Sequence, residues 1–171
     1  SEGLYKNHFI GRTFIMPGQE ERKKSVRYKL VPQELEIRDK KVMIMDDSIV
    51  RGNTSREIVR MLRDFGAKEV YFTSACPPVK SPCFYGVDMP TKDELIAGNM
   101  SEEEIETYLE VDALLYQNID DLVEAVTRRG DHYIDKPCIA CLDGNYIAND
   151  IDENKIKEME KVRNGDRTNN I

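Results

Sequence analysis

Residues 42–55 read Val-Met-Ile-Met-Asp-Asp-Ser-Ile-Val-Arg-Gly-Asn-Thr-Ser, and no other stretch narrows the fold so far. The apolar run Val42–Met45 has the length and bounds of a buried strand, and it stops at two adjacent carboxylates, Asp46 and Asp47. A compact loop with Gly52 and several hydroxyl residues leads straight into a helical pattern over Thr54–Phe65. Ile58, Val59, Met61, Leu62 and Phe65 share one side of that helix, and Gly66 supplies its C-terminal cap. The next strand is Val70–Cys76, ended by Pro77-Pro78. A strand–loop–helix–strand unit of this length is a right-handed βαβ crossover, which predicts an α/β fold with a mainly parallel sheet and flanking helices. Such folds place their ligands at the carboxyl ends of the strands, where loop amides and a helix N-terminus hold phosphate. The residues therefore describe a pocket for a phosphorylated sugar. Asp46 and Asp47 suit hydrogen bonds from sugar hydroxyls, or Mg²⁺ bound directly or through water. An acidic strand end that merely caps a turn needs one carboxylate, and the second would be repelled by the first.

The rest of the chain fits around this unit. Residues 8–15 read as a strand broken by Gly11, and residues 16–40, polar, basic and weakly patterned, as a mobile loop. Thr91 with Glu94, and Ser101 with Glu104, form capping-box patterns that open two short helices. Ala113–Tyr116 is a further strand and Ile119–Arg128 a helix behind it. Beyond Gly130 the chain turns loop-rich, then highly charged over Ile151–Val162 (a surface helix), and Arg167–Ile171 is a frayed tail. With 171 residues there is room for one domain with a proper core. No run approaches the length of a membrane span, and Ser1–Lys6 lacks the apolar centre of a signal peptide, so a cytoplasmic location is expected.

A net charge of −7 argues against nucleic-acid binding. Against that balance, Arg12, Arg22, Lys23, Lys24, Arg27 and Lys29 concentrate positive charge just ahead of the phosphate pocket. His8 and His132 stand alone and suit packing or surface positions better than catalysis. Cys138-x-x-Cys141 leaves three readings open: a zinc half-site, half of an iron–sulfur site, or a redox pair. Cys76, set in an apolar strand, reads as a buried packing residue.

Residues Val42–Ser55 resemble the phosphoribosyl-pyrophosphate (PRPP) loop of type I phosphoribosyltransferases. Together with Gly11–Gln19, Arg22–Arg27 and Tyr85–Pro90, the chain from about Gly11 to about Ala148 resembles the glutamine PRPP amidotransferases. That resemblance implies a type I phosphoribosyltransferase-like fold. It also implies a role in making 5-phosphoribosylamine from PRPP, glutamine and water, with glutamate and pyrophosphate as the other products, at the first committed step of purine synthesis. It assigns PRPP to Asp46, Asp47, Ser48, Ile49, Val50, Arg51, Gly52, Asn53, Thr54 and Ser55, with Mg²⁺ at Asp46 and Asp47. Asn53 stands where many members carry Thr, and it keeps a donor. A flexible loop over about residues 16–35 would close on pyrophosphate through Arg22, Lys23, Lys24, Arg27 and Lys29. No residue is expected to act as a catalytic general base, because the work is to position ammonia, stabilise the departing pyrophosphate and exclude water. By the same resemblance, Cys83, Cys138 and Cys141 match three ligands of the [4Fe–4S] cluster that some members carry, with the fourth outside this chain.

The resemblance further implies that residues 1–130 form a partial transferase domain and residues 131–171 a cysteine-containing segment with a surface helix. The glutaminase domain and the first strands of the transferase domain would lie upstream or in a separate glutaminase chain. Alone, the chain is then expected to hydrolyse no glutamine, to show little transferase activity and to associate through exposed sheet edge. Purine nucleotides as feedback inhibitors and a homo-oligomeric state are implied, and no nucleic-acid or membrane partner. The alternative from another class is a non-catalytic sensor of PRPP or nucleotides. The basic loop speaks against it, since a sensor has no intermediate to seal in. A salvage transferase for free bases fits the Arg12–Gln19 and Tyr85–Pro90 blocks less well.

Overall fold

The computed structural model describes residues 3–6, 30–128, 134, 136–148, 151, 154–158 and 161–162. Strands β1 (Leu4–Lys6) and β2 (Leu30–Pro32) pair antiparallel, with Tyr5 opposite Val31. A short helix α1 (Glu34–Ile37) follows. Then come β3 (Lys41–Asp46), α2 (Asn53–Asp64) and β4 (Glu69–Ser74). A 3₁₀ turn (Lys92–Glu94), α3 (Ile96–Asn99) and α4 (Glu102–Leu109) lead to β5 (Ala113–Tyr116). Helices α5 (Ile119–Thr127) and α6 (Ala140–Asp143) complete the named elements, and residues 154–158 are also helical.

Strands β3, β4 and β5 form a parallel sheet in chain order. Its register runs from Lys41 opposite Glu69 to Asp46 opposite Ser74, and from Tyr71 opposite Ala113 to Ser74 opposite Tyr116. Asp46, Ser74 and Tyr116 are thus level at the carboxyl edge. Alternation along the strands sends Val42, Ile44, Val70, Phe72 and Leu114 to one face. There they meet Ile58, Val59 and Leu62 of α2, Ile96 and Ala97 of α3, and Ile105 and Leu109 of α4. Val70, Phe72, Val59 and Leu62 are fully buried, each worth about 1.5–3 kcal/mol over exposure. The opposite face keeps Met43, Met45 and Leu115 exposed. A smaller cluster beyond the carboxyl edge gathers Val79, Leu95 and Leu142, with Val50, Cys76, Met89 and Cys141 against it.

Local signals explain where elements begin and stop. Ser101 Oγ accepts the Glu104 amide at 3.2 Å while Glu104 Oε2 accepts the Ser101 amide at 2.7 Å. The Thr91–Glu94 box is likewise formed, and Asn118 Oδ1 caps α5 by accepting from Asp120 N at 2.8 Å. Gly66, at φ +84°, ends α2 in the left-handed region that glycine enters without strain. Asp112 ties α2 to the sheet: its Oδ2 accepts from Val70 N at 2.6 Å and from Arg63 Nη2 at 2.7 Å.

Three expectations need correction. Residues 30–37 are not loop: the apolar triplet Leu30–Pro32 finds a strand partner in Leu4–Lys6, and Ile37 is fully buried under the core. Strand β4 stops at Ser74, so Cys76 is not a strand residue. Ser74 Oγ donates to Cys76 O at 2.6 Å and turns the chain there, leaving Cys76 partly exposed in the smaller cluster. Helix α2 starts at Asn53 rather than Thr54, with Gly52 as its N-cap. The expected strand over residues 8–15, the basic residues Arg12 to Lys29, and His8 and His132 lie outside the described residues.

Candidate functional site

Parallel pairing carries β3 to the carboxyl edge and delivers Asp46 and Asp47 there together. Asp46 is half-buried, and its Oδ1 accepts the Asp47 amide at 2.9 Å. Burial pushes the Asp46 carboxyl up, the Asp47 amide opposes this, and the neighbouring Asp47 charge adds to the rise. Ser48 Oγ donates to Asp47 Oδ1 at 3.1 Å. Among the described residues no Lys or Arg forms an ion pair with either carboxylate. Two adjacent, uncompensated carboxylates fit the oxygen-only chemistry of Mg²⁺, which takes one or two carboxylates and fills its other positions with water and phosphate oxygens.

The loop then rises over the core. Ile49 is inserted in the core and Ser55 is buried, so of the expected ligand residues these two offer backbone rather than an open side chain. Gly52 adopts φ +74°, and it brings no side chain to cap α2. The first amides of a twelve-residue helix therefore face the loop uncapped, with the positive end of the helix dipole behind them.

Sequence reasoning missed what holds this loop. Every latch comes from the segment between β4 and β5. Arg51 Nε donates to Glu94 Oε1 at 3.1 Å, Ile96 N donates to Val50 O at 2.9 Å, and Tyr108 Oη donates to Asn53 Oδ1 at 3.0 Å. A Cβ on Gly52 would lie 2.7 Å from Ile96 Cδ1 and 3.1 Å from Tyr108 Cε1. Arg51, expected as a ligand, has its guanidinium committed to Glu94. No local spacing signals these contacts, which join residues about fifty positions apart.

The cysteines share one neighbourhood. Burial pushes the Cys141 thiol up, and the nearby Cys83 and Cys138 add to the rise. Cys76 is raised by burial and then by Cys141. Yet among the described residues no three His, Cys, Asp or Glu side chains are gathered so as to hold a metal ion.

The sheet and its flanking helices define the class: a type I phosphoribosyltransferase-like α/β fold, with an acidic pair and a glycine turn at the carboxyl edge of its parallel sheet. No family model matches the chain. It is 51% identical over 163 residues to the amidophosphoribosyltransferase of Pseudomonas aeruginosa, covering 95% of this chain and 32% of that protein. It is 50% identical to the Methanocaldococcus jannaschii enzyme of the same name, covering 85% of this chain and 30% of the other. Among solved structures, a glutamine PRPP amidotransferase from B. subtilis complexed with ADP and GMP superposes with a TM-score of 0.70. The identity is 44%, over 86% of this chain and 32% of that one. The chain belongs to the amidophosphoribosyltransferase family, and it spans about a third of the length of the curated relatives it matches. No described helix is long and apolar enough to cross a membrane.

Proposed function

We propose that this chain is the PRPP-binding part of an amidophosphoribosyltransferase. One observation carries the reading: Asp46 and Asp47 stand at the carboxyl end of β3, followed at once by the left-handed Gly52 and the uncapped start of α2. In this reading the amides of residues 52–55 and the hydroxyls of Thr54 and Ser48 surround the 5′-phosphate. Asp46 and Asp47 take the ribose hydroxyls and Mg²⁺. Mg²⁺ held by these two carboxylates would supply charge neutralisation for pyrophosphate oxygens. The bond from ribose C1 to pyrophosphate breaks, a bond from C1 to ammonia nitrogen forms, and the surplus proton passes to solvent.

Glutamine as ammonia source, purine nucleotides as inhibitors, a homo-oligomeric enzyme and a cytoplasmic location belong to the same proposal. The glutamine in the name of the B. subtilis enzyme and the ADP and GMP in its complex support the first two. The basic residues Arg22, Lys23, Lys24, Arg27 and Lys29 are proposed to meet pyrophosphate. An iron–sulfur cluster on Cys83, Cys138 and Cys141 would require those thiols to close up and a fourth donor to join them. Calorimetric titration with PRPP, with and without Mg²⁺, tests the core of the reading. Mg²⁺-dependent binding that is lost in Asp46→Asn/Asp47→Asn supports it, and a folded chain that binds nothing refutes it.

A further inference from the structure

Tyr108 sits in α4, far along the chain from the anion loop, yet its hydroxyl reaches Asn53 Oδ1 at 3.0 Å. Its ring is fixed on two sides. The Arg56 guanidinium lies 4.5 Å from the ring centroid, and Glu110 Oε1 holds Arg56 Nη2 at 2.9 Å. On another side the ring packs against Gly52, where even a methyl group would stand 3.1 Å from Cε1. The hydroxyl is thereby aimed at the first residue of α2. A carboxamide has one accepting and one donating end. With its oxygen turned to the helix start, Asn53 would set a lone pair against an incoming anion. With that oxygen held by Tyr108, the NH₂ end is the one turned away from Tyr108.

We propose that Tyr108 is a positioning residue for the anion loop: by holding Asn53 Oδ1 it orients the Asn53 amide so that Nδ2 donates to the bound phosphate. This rests on the phosphate-binding role proposed for the loop. Loss of one such donor, or of its orientation, weakens binding about tenfold.

The test is a cycle of Tyr108→Phe, Asn53→Ala and the double variant. It is read as affinity for ribose 5-phosphate by calorimetry, alongside the Asn53 side-chain NH₂ resonances of the ligand-free chain. Expected are a roughly tenfold loss for each single variant, a double variant no weaker than Asn53→Ala, and shifted, faster-exchanging Asn53 NH₂ signals in Tyr108→Phe. A purely structural role would lower thermal stability and add its loss to that of Asn53→Ala. Wild-type affinity in Tyr108→Phe, or additive losses, overturns the proposal. Should the wild-type chain bind no ribose 5-phosphate, the loop's proposed function fails by itself, and unchanged Asn53 resonances in Tyr108→Phe overturn the positioning role independently.

Discussion

Replacing Gly52 by Ala strains the loop in two separable ways. At φ +74° an L-residue costs about 1–2 kcal/mol. The added methyl would also stand 2.7 Å from Ile96 Cδ1, inside van der Waals contact, and Ile96 is buried. Overpacking of this kind costs about 1–3 kcal/mol, so Gly52→Ala should destabilise the chain by about 2–5 kcal/mol. Ile96→Val removes the offending Cδ1. Alone it should cost about 0.5–1.5 kcal/mol, but beside Gly52→Ala it should return much of the roughly 1–3 kcal/mol overpacking cost, leaving the backbone term and the 3.1 Å approach to Tyr108 Cε1. Urea unfolding of the four proteins, compared at constant slope, gives each difference. Additive losses, or a Gly52→Ala chain within about 0.5 kcal/mol of wild type, would show that α3 does not press on the loop and would refute the latch.

Asp112→Ala leaves the Val70 amide, in the fully buried centre of the sheet, without its 2.6 Å acceptor; a loss of about 1–3 kcal/mol is expected by urea unfolding. Glu110 lies below the usual carboxylate range because Arg60 and then Arg56 bond to it. Its contribution is fully present above about pH 4.3 and is lost as pH falls through its lowered value, so Glu110→Gln should flatten the acid limb of the stability curve. For Asp46 the sign is opposite. Its carboxyl is raised by burial, so ionisation opposes folding as pH rises from about 3.9, and Asp46→Asn should be no less stable at neutral pH. Mg²⁺-dependent affinity should meanwhile begin to fall at a higher pH than an ordinary carboxylate predicts, and a calorimetric pH series checks it.

The elements that could be read in advance were those whose signal is local. Strand β5 coincides with its expected residues, α2 and β3 differ by one residue at their ends, and both capping boxes are formed. The acidic pair and Gly52 were legible because chemistry and backbone freedom concentrate in a few adjacent positions. Strand β2 was not, since three residues carry little periodicity and depend on a partner more than twenty positions away. The latch of Glu94, Ile96 and Tyr108 was invisible for the same reason. Each is an ordinary helix or turn residue until the fold sets it against the loop.

The order of the sheet has a consequence for how the site is made. Within it β4 pairs with β3 and β5 with β4, each with the strand synthesised just before it, Lys41 meeting Glu69 and Tyr71 meeting Ala113. A chain leaving the ribosome can therefore join β4 to β3, with α2 across them, before β5 exists. At that stage the carboxylates and the glycine turn are already present. Glu94, Ile96 and Tyr108 emerge later, so the loop takes its final shape only when the next crossover docks, and the proposed phosphate pocket is completed late in folding.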